Sequence, residues 1–341
     1  MQTCKPKFLL PGLKAFTIAA VMVMMGMAQP VSVMAQMTKV RVGRTISASG
    51  FHIPSYIAQE RGMFKEQGFS VEFIATEGGA LVRAGIAKEI DYVPIPGGGS
   101  IAMLKGAPIV FVVGESLISQ WTITTQQSIK TVADLRGKTI GVERPGSAPY
   151  EETTITLGQF FKMQAGKDYK VLAFTAEADR VAALITGSID AAILSFGPAA
   201  AAEQAGMKIL LRTGDYIPRL GGTFWVHKDR IKERPDEVKR FIKVIAKAAD
   251  YIRTNRQGTI QVIHKYFEVI KEPKVAEIFY KQIQNAFGPE IPHNLLKVLF
   301  DSRLTPEAGW PAGKPAPDIE QFVARDILNE TLKEMGRKVS K

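Results

Sequence analysis

Apolar and polar positions follow two periods along this chain, and the periods take turns. Residues 39–43 put Val40 and Val42 on one side and read as a strand, while residues 52–61 carry Ile53, Tyr56, Ile57 and Ala58 at helical spacing, with Gly62 as the stop. Residues 69–75 alternate again. Gly78-Gly79 opens a helix over 80–87, residues 90–93 form a short strand, and Gly97-Gly98-Gly99-Ser100 leads into a helix over 101–105. Residues 108–114 are apolar throughout, as a strand covered on both faces should be. The alternation then repeats. Strands are predicted over 121–125, 139–142, 171–174, 191–194 and 208–212, with helices over 132–135, 150–164, 178–186 and 198–205. This is the α/β signature. The last third is helical, over 235–255, 260–267, 274–286, 293–302 and 319–335, with a Pro/Gly-rich surface loop at 306–317. In 235–255, Val238, Phe241, Ile242, Ile245, Ala248, Ala249 and Ile252 share one face. Lys239, Arg240, Lys243, Lys247 and Arg253 lie on the other, expected to be solvated or to form a docking surface.

Residues 138–157 are the most informative stretch. A strand runs into the small-residue loop 144–149, and a helix starts at Tyr150. Such a helix start offers unpartnered N–H groups at a positive dipole end, suited to a polar or anionic group. Arg144 adds a planar, permanently charged fork. A plain, well-capped α/β loop explains the same residues. Residues 81–91 and 181–190 repeat one pattern, a small-residue helix, a turn, and Ile-Asp before a strand. Two similar α/β halves suggest two lobes with a cleft at their strand ends.

Composition narrows the class. The chain has 341 residues, 46% hydrophobic and 23% charged, as in a soluble globular protein of about two domains. The net charge is +11, or +8 without the three lysines of the leader. No run of five basic residues occurs, so no nucleic-acid partner is expected. Residues 1–35 read as a signal peptide: Lys5, Lys7 and Lys14 precede an apolar run, and Val33-Met34-Ala35 suits cleavage before Gln36. An exported, soluble, periplasmic product is expected, with an uncleaved anchor as the alternative. Cys4 is the only cysteine and precedes the apolar run, so the mature chain has neither disulfide nor thiol chemistry.

Further residues then resemble a known family. The opening Val40-Arg-Val-Gly43, the segment Glu60-Arg61-Gly62-Met63-Phe64 through Gly68, and the stretches 84–91, 132–142, 185–191 and 228–241 are, in order, similar to periplasmic solute-binding proteins of the nitrate/sulfonate/taurine (thiamine-pyrimidine-like) type that serve ABC importers. The resemblance implies a type II periplasmic binding protein, two α/β lobes joined by two hinge strands around a ligand cleft. It implies lobe I at 36–115 and 222–341 and lobe II at 116–221. It also implies a membrane permease as partner, no cofactor and a monomer. Carried onto the strand ends here, it implies pocket residues Ser47, Ser49, Phe51, Gly78, Gly79, Gly98, Gly99 and Ser100 from lobe I; Arg44, at the end of the first strand, is unusual there and is expected to add positive charge. From lobe II come Arg144, Gly146, Ser147, Tyr150, Ser195 and Phe196. Each glycine also has a plain turn reading, and each aromatic a core reading. Where the family often has Trp-Glu-Pro, this chain has Phe196-Gly197-Pro198, which removes an acidic group.

Enzyme signatures are poor. Gly137-Lys138-Thr139 ends like a phosphate-binding loop, but Val132 stands where its first glycine belongs. His52, His227, His264 and His293 show no ligand spacing, so neither a metal nor a catalytic residue is expected. The expected ligand is a small organic anion, a sulfonate or carboxylate, aromatic ones included. A neutral heterocycle, an enzyme on the same fold (pyrimidine or menaquinone-precursor processing) and a sensory receptor for a membrane kinase remain open.

Overall fold

The computed structural model describes residues 1–3, 37–45, 50–145, 147–267, 270, 272–306 and 309–339. Met37–Lys341 forms one compact unit. The predicted leader, with Cys4, lies outside the described residues apart from residues 1–3, as do Ser47, Ser49 and Gly146. In order, the elements are β1 (Thr38–Thr45), α1 (Ile53–Glu60), α2 (Met63–Glu66), β2 (Phe69–Thr76), α3 (Gly78–Ile86), α4 (Pro96–Leu104), β3 (Ile109–Ser116), β4 (Trp121–Thr125), β5 (Thr139–Val142), α5 (Ala148–Ile155) and β6 (Lys170–Ala173). Then come α6 (Glu177–Ile185), β7 (Ala191–Ser195), α7 (Phe196–Gln204), β8 (Lys208–Arg212), β9 (Gly222–His227), α8 (Lys228–Glu233), α9 (Pro235–Thr254), α10 (Arg256–Tyr266), α11 (Pro273–Ile283), α12 (His293–Asp301) and α13 (Arg325–Glu334).

Two sheet systems organise these elements. In the first, β1 and β2 pair in parallel and β3 and β9 pair antiparallel. Residues 90–93, expected as a strand, instead make two isolated bridges, Val42 to Tyr92 and Val93 to Trp225, that join the two pairs. The second is a five-stranded sheet ordered β6-β5-β7-β4-β8. There β5 is parallel to β6 and β7, and β4 is antiparallel to β7 and β8. The chain crosses between the systems from β3 to β4 and returns from β8 to β9.

The Ile-Asp repeat has one structural task, done twice. Asp91 Oδ2 accepts the Arg41 amide at 2.6 Å, and Asp190 Oδ2 accepts the Thr139 amide at 2.9 Å. Each carboxylate thus satisfies an N–H in the neighbouring strand, β1 in one case and β5 in the other. In both halves the segment after the turn lies parallel to the neighbouring strand, as strand β7 beside β5 and as an isolated bridge from Tyr92 to Val42 of β1.

The cores follow the sheets. Val40, Val42, Phe111, Trp225 and the apolar stripe of α9 belong to one buried cluster. Phe241 of α9 stacks on Tyr92, ring centroids 3.7 Å apart. Ile123, Ile140, Val142 and Ile193 fill one side of the five-stranded sheet, with Ala192 and Leu194 packing on Val181 and Leu184 elsewhere. The basic side of α9 is not a solvated face throughout: Lys239 and Lys243 pair with Glu334 of α13, and Arg240 bonds the Gln67 carbonyl.

Helices α2 and α8 and strand β9 have no counterpart among the predicted elements, and several boundaries differ from expectation. Helix α4 begins at Pro96, so Gly97–Gly99 form its first turn rather than a preceding loop. The helix expected over 150–164 is α5 followed by a π-turn at Thr156–Phe160, where the Met163 amide reaches back to Leu157 O and both side chains enter the core. The helix expected over 319–335 is broken, because Val323 bridges to Phe111 and the Ala324 amide bonds the Phe111 carbonyl. A competing strand contact ends one helical turn, and α13 starts afresh two residues later.

Candidate functional site

Among the described residues, loops from the two sheet systems meet in three side-chain contacts. Phe51, in the turn before α1, lies 5.6 Å from Trp121, the first residue of β4. Glu77, the N-cap of α3, lies 3.7 Å from Arg144, in the loop after β5. Arg303, just past α12, lies 2.7 Å from Glu151 in the first turn of α5. The ion pairs are reciprocal: each system gives one arginine and one glutamate.

The arginines differ in setting. Arg144 and Glu77 are 64% and 59% exposed. Such a pair is worth little and is screened by salt. The Arg303 side chain is only 7% exposed, and its Nε has no hydrogen-bond partner. Arg44 lies with its guanidinium 6.0 Å from the Tyr56 ring centroid and 5.6 Å from that of Phe73. Burial pushes the Tyr56 hydroxyl up to about 12, against the opposing pull of Arg44.

A chain of charges runs under the β5–α5 loop. Arg180, fully buried, donates to the carbonyls of Ile193 and Phe174 and stands 3.6 Å from Glu177. Burial lowers its affinity for a proton, and Glu177 and Glu143 oppose that shift. Glu143 is raised above the usual carboxylate range, first by burial, with Arg180 and Arg144 opposing and Glu177 and Glu77 reinforcing.

The remaining predicted residues divide. Ser147 caps α5, its Oγ accepting the Tyr150 amide at 3.4 Å, and Tyr150 is half-buried against the core of the five-stranded sheet. Gly78 and Gly79 start α3 beside the Glu77–Arg144 pair. Other predicted residues serve packing. A Cβ on Gly98 would stand 2.7 Å from Val82, and one on Gly99 would stand 2.6 Å from Trp225 Nε1. Ser100 is buried and bonds the Gly97 carbonyl. Ser195 donates both its amide and its hydroxyl to Glu177. Phe196 is 2% exposed within the first core.

Several residues of this candidate site carry little or no sequence signal. Arg303 follows a predicted helix end, and Glu151, although inside the 138–157 stretch, has no sequence feature that links it to Arg303. Trp121 read as a strand start. Two buried carboxylates also went unseen. Glu115, at the end of β3, accepts Ser55 Oγ at 2.8 Å and lies 3.4 Å from His52 Nδ1. Glu152 of α5 accepts Ser119 at 2.6 Å, Thr213 at 2.5 Å and Arg219 Nε at 2.7 Å. It thereby ties α5 to both segments that cross between the sheets. A recess of about 690 Å³ opens elsewhere, at the start of β1, lined by Lys39, Arg41, Asp91, Asp229, Arg230 and Arg234. No cluster suited to a metal ion is found among the described residues, and no helix there is long and apolar enough to cross a membrane.

Two α/β sheet systems crossed twice by the chain, with helices packed around them, make up the periplasmic-binding-protein fold. The Escherichia coli periplasmic aliphatic sulphonate binding protein SsuA has this fold, with a TM-score of 0.69 at 17% identity over 85% of this chain and 99% of that one. The desulfurization enzyme DszB is also similar, with a TM-score of 0.63 at 14% identity over 87% of this chain and 99% of that one. Among curated proteins, a Brucella abortus protein named only as a binding protein is 27% identical over 238 residues, 68% of this chain and 72% of that one. Residues 50–258 match the NMT1/THI5-like family, and the chain belongs to it.

Proposed function

We propose that this chain is the extracytoplasmic solute-binding receptor of an ABC importer, and that it carries a small organic anion, a sulfonate or carboxylate, to a membrane permease. Residues 36–115 and 222–341 act as one lobe and residues 116–221 as the other. The lobes close on the solute because the closed form binds it better. The observation that carries the reading is the pair of reciprocal arginine–glutamate contacts, Arg144 with Glu77 and Arg303 with Glu151, where loops of the two sheet systems meet. The buried pair gives closure a ligand-dependent energy, since an anionic solute changes the partner of Arg303, while the exposed pair adds little. Arg44, Phe51, Gly78, Gly79, Ser147 and Tyr150 line the same region in this reading, and the receptor works as an exported monomer without a cofactor.

The likeness to both a sulphonate-binding protein and a desulfurization enzyme supports the fold for either role. The buried His52–Glu115 pair, 3.4 Å apart and next in sequence to Phe51, is the observation that favours an enzyme as the second reading. Thermal-shift screening of the protein from Gln36 onward against sulfonates, carboxylates, nitrate and pyrimidines tests the receptor reading. A ligand at about 100 times its Kd adds about 2.7 kcal/mol of stability. Stabilisation by anions alone is the expected result, and stabilisation by pyrimidines alone would refute the anion class.

A further inference from the structure

Arg303 is buried without the hydrogen bonds that ordinarily hold a buried guanidinium. Arg180 donates to two carbonyls, and Arg219 donates to Glu152. Arg303 makes no side-chain hydrogen bond among the described residues, and its Nε is enclosed without a partner. Its one counter-charge, Glu151 Oε2 at 2.7 Å, is likewise without a hydrogen bond, so the two meet as charges but not in hydrogen-bonding alignment. A buried cation in that condition is costly unless another acceptor completes its shell.

The neighbouring backbone has the same deficit. Arg303 Nη2 lies 3.4 Å from where a Cβ on Gly97 would stand, in the first turn of the nine-residue helix α4. The N-cap of α4 is Ile95, which supplies no side-chain acceptor, and Pro96 occupies the first turn. At this positive end of the helix the amides of Gly97 and Gly98 have no intrahelical acceptor, and the Arg303 guanidinium lies beside Gly97. Gly97 has no side chain to fill the space between them.

We propose that Arg303 is the anion anchor of the cleft. The oxyanion head of the ligand, carboxylate or sulfonate, docks on its guanidinium and on the first-turn amides of α4 and takes the place of Glu151. Burial decides which partner leaves. Glu151 is 21% exposed and swings into water, whereas Arg303, at 7%, stays. Arg144, largely exposed, is a rim charge. This assignment rests on the anion-receptor reading above and narrows it to one residue and one head group.

Calorimetric titration with sodium methanesulfonate and sodium acetate, and with uracil as a neutral control, tests it on the protein from Gln36 onward. Concentrations up to about 50 mM are needed, because so few atoms give weak binding. The wild type is expected to bind at least one anion. Arg303→Gln should weaken it at least about 30-fold, Arg144→Gln by less than about threefold, and Glu151→Gln should strengthen it by removing the competing carboxylate. Arg303→Lys keeps the charge without the planar fork and should still lose about tenfold, so the result stands even if the glutamine variant fails to fold. Near-wild-type anion binding by a folded Arg303→Gln overturns this assignment and leaves the receptor reading intact. A wild type that binds uracil and no anion overturns both. A wild type that binds none of the three overturns the anchor, since a site built for the head group accepts it as a free ion.

Discussion

Glu77 and Arg144 face each other at 3.7 Å from loops of different sheet systems, both more than half exposed. From sequence, Arg144 is the leading cation for an anionic ligand. The geometry gives it an internal partner and an aqueous setting instead. Arg144→Ala should therefore cost an anionic ligand less than about 1 kcal/mol at physiological salt, and the loss should shrink further as salt rises. Titration at two ionic strengths checks this, and a salt-insensitive loss of several kcal/mol would place Arg144 in a desolvated site.

Glu152 gathers Ser119, Thr213 and Arg219 around one buried carboxylate. Removing it leaves the buried Arg219 guanidinium uncompensated. Glu152→Ala is expected to destabilise the fold by about 3–5 kcal/mol in urea unfolding. A change below about 1 kcal/mol would mean that Arg219 finds another acceptor.

The matched aspartates Asp91 and Asp190 each satisfy a strand amide through a charged acceptor. Alanine at either position should cost about 1.5–3 kcal/mol. The two costs should add within about 0.5 kcal/mol, because the residues sit in separate sheets. Strong non-additivity in the double variant would show that the halves are coupled through these positions.

Glycine at 99 lets α4 approach Trp225. A Cβ there would stand 2.6 Å from Nε1, an atom held by its bond to the Ile95 carbonyl. Gly99→Ala should destabilise by about 1–3 kcal/mol. Gly78→Ala, where no atom lies within 4 Å, should be close to neutral by comparison. Thermal melts of the two variants side by side decide whether the glycines differ in this way.

Glu143 is the group to watch on acidification. Its folded-state pKa is raised above the ordinary value by burial. A carboxyl raised by folding binds its proton more tightly when folded, so its contribution to stability rises as pH falls through the folded pKa toward the unfolded one near 4.5. Above that window the buried charge is a burden. Glu143→Gln should therefore gain stability at neutral pH, and the gain should vanish toward pH of about 4. Paired melts across that range check the sign. A gain that grows on acidification would contradict it.

Much of the architecture is legible in the sequence. The apolar stripe of α9 has a period only a helix satisfies, and every residue named on it is buried. Strands β4, β5 and β8 fall where local pattern put them, because short β-branched runs between polar turns have few other uses. What failed locally was settled by distant partners. The last helix breaks where Val323 meets Phe111, and among the helical glycines before Ile101 it is Gly99 whose missing side chain leaves room for Trp225. The site divides the same way. Arg44, Phe51 and Arg144 stand at strand ends that sequence could mark. Arg303 and Glu151, about 150 residues apart, meet only through the fold. No local rule links a residue past a C-terminal helix to the first turn of α5.

In the proposed role the chain captures a small organic anion reversibly and without chemistry. The most direct test is to saturate the protein with an anion found to bind, measure the bound equivalents by equilibrium dialysis, and recover the ligand for mass analysis after prolonged incubation. One equivalent per chain, returned unchanged, is the predicted result. Failure of every organic anion to saturate, or recovery of a chemically altered ligand, would contradict the account and move the protein toward the enzymes that share its fold.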